Sequence, residues 1–516
     1  MVYLSALLVV CLGILLPRQP AGGARILLVA IEQLSHVAEL HSIGTELVRR
    51  GHDVYSVLPD EFPGVERVVP PGIRVLQFRR SHNGGIRLLD LLHGMGERIM
   101  NKRYETPSTI SRAVQNQCAA IMNDKRLVGE MRDIGFDLAV VDGFPLMPCG
   151  LLVPHNLSVP FVSYSAGFFG LHIRVPNLPS FVPSPLMPFT DRMSFWQRAL
   201  NVLLHMALEL EPFPPNWDYT LLHQFAPDVT SWTELKRKAA FYIVSRDHML
   251  EWPQPLLPNV VFTPGITAVD ARPLPSELEL MVKSKKVIVV SFGSTVGNLP
   301  AEVTQKFFAA FRQTKATILW KVGDTDWPAD VPGNVKLLEW MPQNDLLGHV
   351  SVKLFVTHCG NNGQYEALYH GVPMIGFPMF ADQHHNAVRM QDHGYGVAMD
   401  VHTFTVDDLS RNIDRLMADD SAYRKATQLA SRIIRHSPMN ARETAAHWVE
   451  HVISYGGAHM RSHALDMPWY EYLLLDVLCL YVLVAVTCCY LGKRALKRLF
   501  ACCGGGSGIK DKAKQQ

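Results

Sequence analysis

Trp340-Met341-Pro342-Gln343, then Phe355-Val356-Thr357-His358-Cys359-Gly360-Asn361-Asn362-Gly363, Glu366, Gly371-Val372-Pro373 and Phe380-Ala381-Asp382-Gln383 follow one another in a single stretch of the chain. Lys353 to Thr357 reads as a strand, His358 to Gly363 as a glycine-containing turn, and Gln364 to Tyr369 as the opening of a helix. A strand, a tight turn and a helix start present unpaired backbone N–H groups and the positive end of a helix dipole. That arrangement suits a diphosphate, and His358 adds a side-chain donor to the same anion. Glu366, one to two turns into the helix, is placed to accept hydrogen bonds from ribose hydroxyls. Trp340 offers a flat face for stacking a base. Asp382 and Gln383 are short polar groups after an apolar strand and loop, suited to sugar hydroxyls; an Asp-Gln pair can equally be a helix cap. Each piece alone is common in α/β proteins, and the ordered set is what carries the reading.

Working outward, Val287 to Phe292, Thr317 to Val322, Val335 to Leu338, Lys353 to Thr357 and Pro373 to Gly376 form one series of β-rich runs between helical stretches. Arg25 to Ala30, Asp53 to Leu58, Asp137 to Val141 and Phe161 to Tyr164 form another, and His36 to Arg50 has helical rhythm up to Gly51. Alternation of this kind predicts parallel strands joined by helices. The chain therefore reads as two doubly wound α/β domains, 25–270 and 280–440, facing each other across a cleft. The Pro-rich stretch Trp252 to Pro275 reads as the linker between them. Pro176 to Pro215, with a helical stretch from Met193 to Leu210, reads as a cap over a substrate cleft. Residues 441–468 hold a helix, Glu443 to Tyr455, expected to cross back to the first domain. Ligands of such sheets bind outside the carboxyl ends of the strands.

The two ends differ from the middle. Met1 to Leu16 is apolar, Pro17 breaks it and small residues run from Ala21 to Ala24, the outline of a signal peptide over 1–24. Leu473 to Leu491 is apolar apart from Asp476 and is long enough to span a bilayer. Trp469, Tyr470 and Tyr472 precede it and Lys493, Arg494, Lys497 and Arg498 follow it, which puts the tail 492–516 in the cytosol and the rest in a lumen. Lys512 and Lys514 resemble a dilysine signal that returns type I membrane proteins to the endoplasmic reticulum through coat-protein machinery. A formal net charge of +2 over 516 residues argues against a nucleic-acid partner. Of nine cysteines only Cys118, Cys149 and Cys359 fall in the lumenal part, enough for one bridge but no disulfide scaffold. Asn156-Leu157-Ser158 is a sequon compatible with lumenal glycosylation.

The set from Trp340 to Gln383 closely resembles the signature of the UDP-glycosyltransferase family, whose animal members include the UDP-glucuronosyltransferases. The resemblance extends from the signal peptide to the dilysine tail. It implies the GT-B arrangement, two facing Rossmann-like domains, with one C-terminal transmembrane helix. It implies that Trp340 stacks on uracil, Gln343 binds the nucleoside and Glu366 holds the ribose. His358, Gly360, Asn362, Gly363 and Ser294 would bind the diphosphate, and Asp382 and Gln383 the transferred sugar. The base would be His36 with Asp142 as partner; both follow the carboxyl end of a predicted strand, so the pair can meet at the cleft. His41 and His52 are rival bases. A UDP-sugar is then the co-substrate, with no metal or other cofactor required. Asp324-Thr325-Asp326, superficially like the metal-binding motif of another glycosyltransferase fold, reads as a solvated turn. The expected acceptor is a small lipophilic alcohol, phenol or carboxylic acid. Glucuronic acid is the leading sugar, with glucose or galactose as alternatives. A non-catalytic UDP-sugar-binding partner of active relatives, a membrane receptor for a lipophilic ligand, and a homo- or hetero-oligomer are further readings left open. Three departures stand out: Cys359 where many relatives have Gly, Glu32-Gln33-Leu34 before Ser35-His36, and Gln254 between prolines where many relatives have Arg. His384 and His385 are candidates to replace that lost cation.

Overall fold

Unbroken apolar runs build both sheets. Ile26-Leu27-Leu28-Val29 and Val287-Ile288-Val289-Val290 are buried at every position, the pattern of strands covered on both faces. The computed structural model describes residues 23–62, 65–79, 91, 98, 107–143, 148–166, 170–185, 187–210, 219–283, 285–294, 296, 299–323 and 330–503. The signal-peptide residues before Gly23, Asp324-Thr325-Asp326 and the dilysine tail lie outside the described residues. The chain forms two compact units, Met1–Ser462 and His463–Gln516.

The first unit carries two sheets. Strands β1 (Arg25–Val29), β2 (Asp53–Pro59), β3 (Ile73–Phe78), β4 (Leu138–Asp142), β5 (Phe161–Ser165), β6 (Phe241–Val244) and β7 (Val260–Phe262) form the first. Strands β8 (Val287–Ser291), β9 (Thr317–Lys321), β10 (Val335–Leu338), β11 (Val352–Thr357), β12 (Met374–Gly376) and β13 (Gly396–Ala398) form the second. Their orders are β3-β2-β1-β4-β5-β6-β7 and β10-β9-β8-β11-β12-β13, and every neighbouring pair is parallel. In each sheet the order reverses beside the first strand, between β1 and β4 and between β8 and β11. Such a switch point opens a crevice at the carboxyl ends of the strands.

The helices that matter below are α1 (Leu34–Arg49), α2 (Pro107–Asn123), α3 (Phe195–Leu210), α4 (Asn361–Tyr369), α5 (Gln383–Asp392) and α6 (Ala441–Tyr455). Helix α6 starts at a capping box, with Asn440 and Glu443 each closing on the other's backbone. It returns to the first sheet: Trp448 stacks on Phe241 with ring centroids 4.5 Å apart, and Arg50 pairs with Glu450 at 2.7 Å. Ala441, Ala445, Ala446, Val449 and Val452 complete the apolar cluster on that face of the sheet. Cys118 on α2 and Cys149 are joined in a disulfide. Asn156 is half-buried, and its Oδ1 accepts a hydrogen bond from Arg132 at 3.0 Å.

The structure differs from the sequence reading at definite places. Trp252 to Pro275 is not wholly a linker, because it contributes β7 to the first sheet. The helix after β11 starts at Asn361, not Gln364, so Asn361, Asn362 and Gly363 are its first turn. In the second unit, helix α7 (Leu475–Cys503) begins after Leu474, whose φ is +55°. It runs on through the basic cluster beyond Leu491. Its Leu475–Cys502 segment, which contains an 18-residue window with a mean hydropathy of 2.1, is long and apolar enough to cross a membrane, which fits a single-pass membrane protein.

Candidate functional site

At the first switch point, β1 and β4 run side by side with Val29 opposite Val141. The chain leaves β1 through a short loop and enters α1, whose third residue is His36. Asp142 is the last residue of β4. Their side chains meet, with His36 Nδ1 2.7 Å from Asp142 Oδ2. Both are buried, His36 at 9% and Asp142 at 1% relative exposure. With Nδ1 bonded to the carboxylate, Nε2 is the ring nitrogen that can take a proton from a substrate hydroxyl. Burial alone would lower the imidazole pKa. The charge and hydrogen bond of Asp142 outweigh it, Glu39 and Asp382 add to them, and His36 is raised to about 9.

The rival histidines are engaged elsewhere. His41 bonds Val68 O through Nδ1 and Ser56 Oγ through Nε2, each at 2.8 Å. His52 Nδ1 accepts from Ala24 N at 3.1 Å, and its Nε2 lies 3.1 Å from Glu450 Oε1.

The second switch point gathers the residues expected to meet the diphosphate. Ser294 is exposed in the loop after β8, and His358 follows β11. Gly293, at φ +83°, and Gly360 approach the His358 ring so closely that a Cβ would lie 2.7 Å and 2.4 Å from its Nε2. Only glycine lets both loops close on the ring. Burial, with Lys321 adding to it, holds His358 down near about 4, so it is neutral and can still donate one N–H. Gly360 is the N-cap of α4, and Asn362 and Gly363 lie in its first turn.

Glu366 is buried on α4; its Oε2 accepts from Gln343 Nε2 at 2.7 Å and its Oε1 from Thr267 Oγ1 at 3.2 Å. Trp340 is 54% exposed, leaving its indole face available for stacking. Asp382 Oδ2 accepts from Asn386 Nδ2 at 2.8 Å. Gln383 turns its Oε1 back on its own loop, accepting from Met379 N and Phe380 N at 2.8 Å and 3.2 Å. The preceding Ala381 has φ +53° and Cys359 has φ +65°. Both are in the left-handed region that favours glycine, so the glycine-to-cysteine departure at 359 leaves strain in the loop.

Several neighbours escaped the sequence reading. Glu39 stands one turn after His36 on α1 and is buried. Burial pushes its carboxyl up to about 7, against the opposing pull of His36 and a hydrogen bond from Asn362. Its spacing of three from His36 on one helix face was the available signal. Lys321, closing β9, donates from Nζ to Gly293 O at 3.3 Å and brings a cation toward the same turn. His384 is exposed, while His385 is buried with its Nδ1 on Met187 O. Burial and then Arg246 hold His385 near about 4. It is therefore neutral and does not replace the missing cation beside Gln254.

The two sheets, each with polar residues gathered at its switch point, match solved glycosyltransferases. One is a UDP-glucosyltransferase from Polygonum tinctorium, "capable of glucosylating indoxyl", in complex with 3,4-dichloroaniline (TM-score 0.59, 18% identity, covering 84% of this chain and 99% of that one). Another is Medicago truncatula UGT71G1 complexed with UDP-glucose (TM-score 0.58, 15% identity, 84% and 98%). At these identities the match shows the GT-B fold. The family model for UDP-glucoronosyl and UDP-glucosyl transferases matches residues 24–508. The chain belongs to that family. UDP-glucuronosyltransferase 2A3 of Cavia porcellus is 33% identical over 86% of this chain and 88% of its own length. UDP-glucuronosyltransferase 1A7 of Mus musculus is 29% identical over 97% and 95%. Family membership agrees with the resemblance that the stretch from Trp340 to Gln383 carries.

Proposed function

We propose that this family member is an inverting glycosyltransferase that moves glucuronic acid from UDP-glucuronic acid to a hydroxyl or carboxyl of a small lipophilic acceptor. The observation that carries it is the 2.7 Å contact between His36 and Asp142 at the switch point of the first sheet. In the mechanism, neutral His36 takes the acceptor proton through Nε2 as the acceptor oxygen attacks the anomeric carbon. The bond to UDP breaks in the same displacement. Asp142 holds the tautomer and stabilises the imidazolium. General-base help of this kind is worth ~10²–10⁴-fold. The departing diphosphate charge falls to the first turn of α4 at Asn362 and Gly363, with Gly360, His358 and Ser294 around it. Trp340 stacks on uracil, Gln343 and Glu366 hold the nucleoside, and Asp382 and Gln383 orient the sugar.

The apolar part of helix α7 up to Leu491 and the basic cluster that follows it in the same helix support a type I anchor, with the catalytic part in the lumen of the endoplasmic reticulum. UDP-glucose is the second donor to test, because Gln254 stands where many relatives carry a cation. The experiment is UDP release by microsomes carrying the wild-type chain or His36→Ala, given either donor with a panel of phenols and steroids. Acceptor-dependent release by wild type alone is expected, and its size ranks the two sugars. Equal release by His36→Ala would remove His36 from the mechanism. No release from either donor, despite UDP binding, would favour a non-catalytic partner.

A further inference from the structure

His447 and His451 stand four residues apart on α6, and His459 follows shortly after the helix ends. Residues spaced i, i+4 share one face of a helix. The other side of α6 is committed to the core: Ala445, Ala446, Val449 and Val452 are buried in the apolar cluster, and Trp448 stacks on Phe241. His447 is accordingly exposed and His451 half-buried. After Tyr455 the chain reverses through Gly456, at φ +68°, and Gly457. Gly457 packs so closely that a Cβ there would lie 2.2 Å from Ala240 O, just before β6. The reversal carries His459, in the short turn Ala458–Met460, back against the last turn of α6.

The rings meet in a definite geometry. His451 Nε2 lies 3.1 Å from His459 Nε2, and the two ring centroids are 5.1 Å apart. The centroids of His447 and His451 are 6.4 Å apart. Two imidazoles on one tetrahedral ion, with bonds of about 2.0–2.1 Å, hold their nitrogens about 3.3 Å and their ring centres about 5 Å apart. The pair at 451 and 459 already has that spacing. Among the described residues no three ligating side chains converge on one point, so His447 joins by rotating its side chain within the same helical turn. A plain hydrogen bond between the two rings is the competing account of the 3.1 Å contact; it requires one Nε2 to donate and the other to accept.

The surroundings favour an ion. Burial, then the facing His459 and His447, hold His451 below the ordinary histidine value, which leaves its lone pair free at neutral pH. The neighbouring carboxylate, Glu450, is taken by Arg50 at 2.7 Å and His52 at 3.1 Å. The donor set is therefore imidazole nitrogen without carboxylate, which suits Zn²⁺, Cu²⁺ or Ni²⁺ rather than Ca²⁺ or Mg²⁺. His447 and His451 line an open groove of about 520 Å³ together with Ala24, Gly51 and His52, with room for an ion to enter and keep water ligands. Ala24 and His52 precede β1 and β2, so the groove lies at the amino ends of those strands, away from the edge that carries His36 and Asp142.

We propose that His451 and His459, joined by His447, bind a divalent transition metal, with Zn²⁺ the first to test. The ion clips the turn after α6 to the helix, just ahead of the point where the first unit ends at Ser462. Its part is structural, and it is independent of the sugar-transfer chemistry proposed above.

The test uses the full-length chain in detergent and Zn²⁺ alone as the probe, read by competition with a chromogenic zinc chelator. Wild type should take up one Zn²⁺ per chain more tightly than either His451→Ala or His459→Ala, by about tenfold or more. His402→Ala, at an exposed histidine elsewhere on the surface, should match wild type. Uptake should weaken at pH 5.5, because protonated imidazole cannot ligate. Zn²⁺ should also raise the thermal unfolding midpoint of wild type and not that of His459→Ala. A tenfold loss in His447→Ala makes it the third ligand, whereas an unchanged affinity would overturn its part and leave the ion to two imidazoles and water. If wild type and both the 451 and 459 variants agree within threefold, the proposal is overturned and the contact is a hydrogen bond only. Retained binding of a fluorescent UDP analogue shows that each variant has folded, and a double His451→Gln, His459→Gln variant replaces any that has not.

Discussion

Replacing Asp142 by Asn keeps the shape of the buried pair but removes its charge. In the native chain His36 is raised from 6.5 to about 9 despite burial, with Asp142 the leading cause of the rise. That shift corresponds to about 3 kcal/mol of preferential stabilisation of the imidazolium. If half to all of it is felt in the transition state, Asp142→Asn lowers the rate of the neutral-histidine form by ~10- to ~200-fold. The substitution also moves His36 back to or below 6.5, so more of the enzyme is in the reactive neutral form at ordinary pH. At pH 7.4 the neutral share rises from about one part in forty to nearly all, which offsets most of the loss. Only near pH 10, where His36 is mostly neutral in both proteins, should nearly the full deficit appear. The assay is kcat/KM for UDP release between pH 6 and 10. Wild type should climb through a midpoint near pH 9, while Asp142→Asn should be flat above about 7 and cross it. Parallel profiles with one midpoint would refute the reasoning. The stability linkage has the matching sign: the contribution of His36 is fully present below about 6.5 and is lost as pH rises through about 9.

Three further outcomes follow from the same geometry. Glu39 is raised from 4.5 to about 7 by burial, so its ionised form destabilises the fold; Glu39→Gln should raise stability by about 1–3 kcal/mol at pH 8 and by nothing below about 4.5. Thermal unfolding at pH 8 and pH 4 checks this, and an equal gain at both would mean the effect is packing. The Cys118–Cys149 bridge closes a loop of 31 residues, so Cys118→Ser should cost about 3–4 kcal/mol by loop entropy, read as a lower denaturation midpoint under oxidising conditions that vanishes when both proteins are reduced. Ala381 has φ +53° and is exposed; Ala381→Gly should relieve about 1 kcal/mol of strain yet loosen the loop before Asp382, raising KM for the UDP-sugar more than KM for the acceptor.

How much of this was legible follows from what each residue had to declare about itself. Asp142 and His36 were picked out by the resemblance to the family, and the sequence pattern added that each follows the carboxyl end of a predicted strand, which is the ligand edge of such a sheet. Asn362 and Gly363 were read as turn residues; the helix takes them in because Gly360, extended at ψ 143°, serves as its N-cap. Strand β7 was hidden inside a proline-rich stretch, because it is an edge strand of three residues and edges tolerate what central strands do not. Strands β3 and β6 were passed over too. β3 alternates exposed and buried positions instead of forming an unbroken apolar run, whereas β6 is only four residues long though wholly buried.

The charge cluster of Arg246, Glu251 and Arg389 was opaque for a different reason. Arg389 reads in the sequence as one polar residue in a polar helix with no local mark of burial, and only tertiary packing brings it against the chain after β6. The same packing gives the neutral His385 its place, although its sequence neighbour His384 is exposed. Charge placement in this chain therefore cannot be inferred from the linear motif alone: Arg246 and Arg389, far apart in the chain, share the carboxylate of Glu251, and Asp247 acts electrostatically on Arg389 as well.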